Sequence, residues 1–247
     1  MTGLPYRLTT SIGSTATLGL IVLQADETIE QDFRQIFRSP DIALHVSRIP
    51  SGAELTPDTI AQMEVDLPTA ASLFPAAAQF DAIGYACTSG TTLIGADRVA
   101  QLVADRVAAA MVTNPLTAAI AAFRALQVQR IGIVSPYVAT VAGPVRDAFL
   151  SAGFVVSHTL SFGERIEARV ARIDPASIRQ AAHEIGRHRD VDAVFLSCTN
   201  LRTLGIIDNL EQTLGKPVVS SNQALAWHMA GAGRDRTGIK GPGMLFR

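Results

Sequence analysis

Cysteine is scarce in this chain: of 247 residues only Cys87 and Cys198 carry a thiol. They form no CxxC pair and have no histidine near them in sequence, which argues against a zinc site built on them. The five histidines, His45, His158, His183, His188 and His228, are scattered without metal-ligand spacing, so no metal is expected. Charge is also sparse. With 17% charged residues, a net charge of -1 and no lysine or arginine run, neither nucleic acid nor an anionic membrane is expected as a partner. No apolar run approaches the roughly 20 residues that span a bilayer. The segment from Met1 to Ser14 is polar and lacks the apolar centre of a signal peptide, so the expected location is the cytoplasm, where thiols stay reduced. No GxGxxG follows a strand, and Gly84 and Gly90 are too isolated for a phosphate loop; a dinucleotide enzyme is disfavoured.

What the chain does contain is a stretch that occurs twice, DAIGYACTSGTTL from Asp81 to Leu93 and DAVFLSCTNLRTL from Asp192 to Leu204. Each copy is a short apolar run ending at a cysteine, followed by a Thr, Ser, Asn and Gly cluster and residues able to start a helix. That pattern predicts a buried parallel strand feeding a helix N-terminus. Each thiol then sits at the carboxyl end of a strand, where doubly wound sheets bind ligands.

The remaining apolar runs extend the pattern. Strands are predicted at Leu18–Leu23, Ile42–Ile49, Ala82–Ala86 and Ala109–Val112, with Asp26 or Thr28 capping a first helix, a long helix from Thr56 to about Ala78 and another from Thr91 to Ala104. The series repeats at Arg130–Val134, Phe154–Leu160, Ala193–Ser197 and Pro217–Val219, with a helix over Ile178–Arg187. The cysteines lie 111 residues apart (198 − 87), and Asn114 and Asn222 fall into the same register. A period this long is too large for a solenoid. It predicts an α/β protein of two pseudo-twofold-related halves, each a four-stranded parallel sheet flanked by helices. Residues 1–114 with 222–247 are expected to form the first half and 115–221 the second, and the glycine-rich tail from Gly238 to Arg247 to pack back as a closing strand or an extended segment.

Two facing thiols suit the removal of a proton from one face of a carbon and its return to the other. A helix N-terminus behind a thiol would acidify it toward the nucleophilic thiolate. Thr88, Ser89, Thr199 and Asn200 follow the cysteines, and their side chains and N–H groups could either receive carboxylate oxygens or cap helices.

The segments CTSG at Cys87 and SCTNLRT at Ser197, together with LGLIVLQADETIE, IVSPYV, ARIDP and KPVVSSNQALAWHM, resemble the aspartate/glutamate racemase superfamily. The likeness is nearer to its maleate cis-trans isomerase and arylmalonate decarboxylase branch. The resemblance implies a cofactor-independent enzyme with its site between two halves. It places Cys87 at the cysteine that attacks or deprotonates substrate, Cys198 at the one that returns the proton, and Tyr137 at a tyrosine that holds substrate. Decarboxylases of the branch carry glycine at the first cysteine position, so two thiols argue for an isomerase or racemase. A small carboxylate substrate and a homo-oligomeric assembly are expected.

Two departures bear on the substrate. Asp26, and Glu167 or a neighbouring acid, stand where the maleate isomerases have asparagines. The acidic first loop resembles the protein of ectoine-utilisation operons grouped with this family. Two carboxylates would repel the maleate dianion and attract a cationic group, which points to an amino acid or ectoine-derived substrate. Maleate isomerisation is the alternative, and a non-catalytic ligand sensor is the alternative of another class. Arg202 could meet a substrate carboxylate or lie in solvent.

Overall fold

A computed structural model describes residues 3–54, 56–233 and 239–247. Along the chain the first sheet's segment runs β1 (Ala16–Leu23), α1 (Ile29–Ile36), β2 (Ile42–Ile49), α2 (Pro57–Ser72), β3 (Ala82–Ala86), α3 (Thr88–Ile94), α4 (Ala96–Ala104) and β4 (Val112–Thr113), and α5 (Pro115–Ala125) leads into the second. The second sheet's segment runs β5 (Arg130–Ser135), α6 (Ala139–Ser151), β6 (Val155–Ser161), α7 (Glu167–Val170), α8 (Pro175–Gly186), β7 (Ala193–Leu196), α9 (Ile207–Leu214) and β8 (Val218–Ser220), and α10 (Ser221–Ala230) packs back on α5, α1 and β3. The two sheets have the same order, β2-β1-β3-β4 and β6-β5-β7-β8, and every pairing is parallel. Among the described residues, no helix is long and apolar enough to cross a membrane.

Alternation along β1 shows why these apolar runs become buried strands. Leu18, Leu20 and Val22 enter one core with Phe33 and Ile29 of α1, while Ile21 and Leu23 enter another with Met63 and Leu67 of α2. Both sheet faces are covered by helices, as a parallel sheet requires. Phe123 of α5, Phe149 of α6, Phe195 of β7 and Phe154 pack edge to face with centroids 5.2–6.1 Å apart.

Several boundaries differ from expectation for local reasons. The long helix ends at Ser72, short of Ala78, because the residue before Pro75 resists helical geometry. Its start is held by a Thr56–Thr59 capping box. The helix expected from Thr91 to Ala104 begins at Thr88 and breaks at Gly95, whose φ is +97°. The fourth strand is only Val112–Thr113, and Ala109 makes a lone bridge to Phe80. Asn114 and Asn222 are not equivalent in place. Asn114 caps α5 by accepting from Thr117 N–H at 2.8 Å, whereas Asn222 lies inside the first turn of α10. The tail returns to the body, with Ile239 bridging Phe37 antiparallel and Met244 N–H donating to Glu211 at 2.7 Å; Gly238 lies outside the described residues.

Candidate active site

Both thiols stand at strand ends, but their settings differ. Cys87 follows β3 and is the N-cap of α3, its Sγ accepting from Gly90 N–H at 3.1 Å with Ser89 Oγ 3.6 Å away. Gly90 is required there: a Cβ would lie 2.7 Å from Tyr85 Oη and 2.9 Å from Cys87 Sγ. Cys198 follows β7, yet no helix starts behind it. The chain enters a turn, and Cys198 has φ +140°, a conformation costing about 1–3 kcal/mol in a residue with a side chain. The expected helix N-terminus is displaced because Asn200 is spent on other loops. Its Oδ1 accepts from Glu27 N–H at 2.9 Å, its Nδ2 donates to Glu167 O at 3.0 Å and Oε2 at 3.1 Å, and its carbonyl accepts from Thr28 Oγ1 at 2.9 Å.

Asn200 thereby gathers the two acids that set this sequence apart. Asp26 caps α1, with Oδ1 accepting from Thr28 N–H at 2.8 Å and Ile29 N–H at 2.9 Å. Its Oδ2 is buried without a partner. The Thr199 hydroxyl beside it directs its hydrogen to Ala86 O at 3.3 Å. Glu167 is 4% exposed and accepts from Asn200, whereas Glu164 faces Arg169 at 3.0 Å. Burial raises Asp26 above the usual carboxylate range, opposed by its backbone bonds. Burial also raises Glu167 to about 7, its bond from Asn200 lowering it and the charge of Asp26 adding to the rise.

These acids act on the thiols. Burial pushes Cys87 up to about 11, with Ser89 and Gly90 lowering it and the charges of Glu167 and Asp26 raising it further. Cys198 is pushed well above the usual thiol range by burial and then by Glu167 and Asp26, while Asn200 N–H and Tyr137 lower it. The expected acidification by a helix N-terminus is therefore overturned: desolvation outweighs the one short helix present, and the neighbouring charge is negative. Tyr137 is buried beside Ser197 and Cys198.

Structure adds residues that sequence reading passed over. Ser221, at the start of α10, accepts from Cys198 N–H at 3.0 Å and lies 2.9 Å from Thr88 Oγ1. Asn222 donates to Thr199 O and to Asp32 Oδ2, both at 2.8 Å. Asp32 is raised to about 7 by burial, with the bond from Asn222 lowering it and the charge of Asp26 raising it. Ser221 and Asn222 lie in the segment KPVVSSNQALAWHM, and Asn222 also in the expected register with Asn114, whereas Asp32 carried no signal. Arg202 is exposed and does not join the thiols. It reaches toward Ile173 O at 3.5 Å and lines a cavity of about 430 Å³ with Glu27, Thr28 and Asp32, in which neither cysteine takes part.

The histidines also depart from their scattered spacing. His158 and His188 stack with ring centroids 3.9 Å apart, and with Asp190 they form a group of three potential ligand atoms within 4.8 Å of one another, outside the thiol site. His228 is half-buried and bonds Thr113 Oγ1 through Nδ1 at 2.7 Å.

The site is shut. Cys87, Cys198, Asp26, Thr88, Ser89, Tyr137, Glu167, Thr199 and Asn200 are all buried. Loops that follow strands of the two sheets meet beside Glu167 through an antiparallel Glu54–Ile166 bridge, Glu167 N–H to Ala53 O at 2.9 Å, and the Arg172–Glu27 ion pair at 2.7 Å.

Known proteins share this architecture. The chain is 30% identical over 234 residues to an arylmalonate decarboxylase of Bordetella bronchiseptica, covering 89% of this chain and 92% of that one. It is 27% identical over 226 residues to a maleate isomerase of Pseudomonas putida, covering 86% and 89%. The crystal structure of a Nocardia farcinica maleate cis-trans isomerase bound to TRIS superimposes with a TM-score of 0.81 at 26% identity, over 94% of this chain and 98% of that one. A family profile described as arylmalonate decarboxylase matches residues 18–246, and the chain belongs to that family.

Proposed function

We propose that this protein is a cofactor-independent two-cysteine isomerase or racemase acting at a carbon next to a carboxylate. Its substrate carries a cationic group, as an amino acid or an ectoine-derived compound does. The observation that carries the reading is the buried, unpartnered Oδ2 of Asp26, joined through the Asn200 turn to Glu167, with both acids acting on both thiols. An empty site of this kind holds its thiols protonated. A cation seated against Asp26 and Glu167 would cancel the negative field and lower the thiol pKa, so the nucleophile would form only with the right substrate bound.

In the racemase form, one cysteine as thiolate takes the α-proton. The electron pair moves into the carboxylate, and the other cysteine as thiol protonates the opposite face, so the thiol and thiolate exchange places. The first-turn N–H groups of Thr88 and Ser89 have no intrahelical acceptor and stabilise the oxyanion with Tyr137 beside them. In the cis-trans form, Cys87 thiolate adds to the alkene and Cys198 protonates the adjacent carbon. Rotation about the new single bond follows; Cys198 then removes a proton, the double bond re-forms and the carbon–sulfur bond breaks. Maleate isomerisation is the second reading, supported by the relatives that bear that name.

The test is a thermal-shift screen of maleate, aspartate, diaminobutyrate, its acetyl derivative and ectoine, followed by hydrogen exchange of each binder in deuterated water. Stabilisation by a cation-bearing carboxylate with exchange supports the proposal. Stabilisation by maleate alone returns the protein to maleate isomerisation, and binding without exchange or turnover makes it a sensor.

A further inference from the structure

The hydrogen bonds around Ser221 join the two thiol loops in a single chain, and their directions can be worked out. Cys198 N–H can only donate, so at 3.0 Å it gives its hydrogen to Ser221 Oγ. Ser221 Oγ and Thr88 Oγ1 lie 2.9 Å apart, and either could supply the hydrogen between them. If Thr88 donated, Ser221 would accept twice and its own hydrogen would be left over. Ser221 is 0% exposed, and among the described residues its hydroxyl meets no other acceptor. If Ser221 donates, the hydrogen left over belongs to Thr88, at the first position after Cys87. With the substrate carboxylate at the thiol loops, as proposed, that hydrogen is the one a bound oxygen meets, so that direction satisfies every group once a ligand is seated.

We infer that Ser221 is a positioning residue that turns the Thr88 hydroxyl into an obligate donor to a substrate carboxylate and pins the strained Cys198 turn at the same time. The chain runs Cys198 N–H to Ser221 O–H to Thr88 O–H to carboxylate, each bond polarising the next. It crosses from the second sheet to the first, so the donor beside one thiol is aligned by the backbone of the other. Asn222, the next residue, holds the same turn from outside through Thr199 O. This inference rests on the proposed carboxylate site but not on the cationic group.

A double-mutant cycle tests it: parent, Thr88→Val, Ser221→Ala and the pair. The probes are succinate and 2,4-diaminobutyrate. The readout is protection of each thiol from iodoacetamide, followed by peptide mass spectrometry, which needs no turnover. Losing a hydrogen bond to a charged group should raise the half-protecting concentration by about tenfold or more. Ser221→Ala should do the same as Thr88→Val, and the pair should be no worse than Thr88→Val alone, since Ser221 acts through Thr88. Additive losses, or no loss in Ser221→Ala, would overturn the proposal, as would failure of both probes to protect the parent. Protection by succinate alone would remove the cationic-substrate reading and leave this cycle to be run on succinate. Without a probe, Ser221→Ala should alkylate faster at Cys198 relative to Cys87, because the turn at φ +140° loses its anchor; an unchanged ratio counts against it. Should Ser221→Ala fail to fold, Ser221→Thr, which returns the hydroxyl, should recover the parent's protection, and a folded Ser221→Thr that does not would refute the role.

Discussion

Stability should fall as pH rises through neutrality, and Glu167 should account for a defined part of the fall. Its carboxyl has an ordinary value of 4.5 and is raised to about 7 in the fold, chiefly by burial. The folded protein therefore binds more protons than the unfolded chain between these values. The stability of the neutral, buried acid is fully present below pH 4.5 and is lost as pH climbs through 7, after which the loss is complete. At about 1.4 kcal/mol per unit, the whole loss is on the order of 3 kcal/mol, of which about 2 kcal/mol falls between pH 5.5 and 8.5. Asp32, raised from 3.8 to about 7, acts in the same direction. The two do not add, because Asp26 raises both and coupled acids titrate together. His228, held below its ordinary value by burial, acts oppositely: a histidine buried neutral gains stability as pH rises to 6.5. The decisive quantity is thus the difference between parent and Glu167→Gln in urea unfolding at pH 5.5 and 8.5. The variant should lose about 2 kcal/mol less across that interval. Equal slopes in the two proteins would refute the argument that burial holds the Glu167 carboxyl up to about 7.

Other expectations follow from the same geometry. Cys87→Ser and Cys198→Ser should fold with little change in Tm, since they remove little volume. Each should lose turnover while a racemase keeps exchange on one face, and full turnover by either would exclude the two-thiol mechanism. Iodoacetamide should modify the empty protein slowly at pH 8, given a Cys87 thiol near 11, and faster at pH 10; a pH-independent rate would contradict the thiol burial. Because the site is shut, substrate entry needs the halves to part, so Arg172→Ala, which breaks the pair with Glu27, should raise KM and the alkylation rate together, and small-angle scattering of the variant should show expansion that a bound carboxylate reverses. Asp26→Asn should weaken a cationic substrate by about tenfold, the scale of one charge-assisted bond, and should tolerate maleate better than the parent.

Strands were legible because burial on both faces leaves a mark on the sequence. Ile42–Ile49 and Ala82–Ala86 match the expected strands to the residue, the first by the alternation of IALHVSRI and the second because all five of its residues are buried. Helix ends were less legible where a single residue overrode a periodic pattern, as Gly95 does with its positive φ in splitting α3 from α4. The thiols and the acids were legible as residue types at equivalent or departing positions. Their relations were not. Nothing in SCTNLR announces that Asn200 will spend its amide on Glu27 and Glu167, residues far away in the chain, and so deny Cys198 the helix that follows Cys87.

That one difference changes the chemistry expected of the repeat. Two equivalent strand–thiol–helix units would present two acidified thiols, each lowered by its own helix, and the site would be nucleophilic at rest. Here the second unit has given up its helix to build the acid-bearing bridge between the halves, and the first has only the seven-residue α3 behind its thiol. Burial keeps both thiols neutral at rest, and the same bridge adds a negative field above about pH 7, where Glu167 ionises. Specificity and activation are then one event. On the proposed reading, a ligand with a positive group removes the share of the rise that the two acids add to both thiols, and a ligand without one leaves it in place. The departure at Asp26 and Glu167 would then do more than change what the cleft attracts, because it would tie the ease of forming the nucleophile to the charge of the substrate.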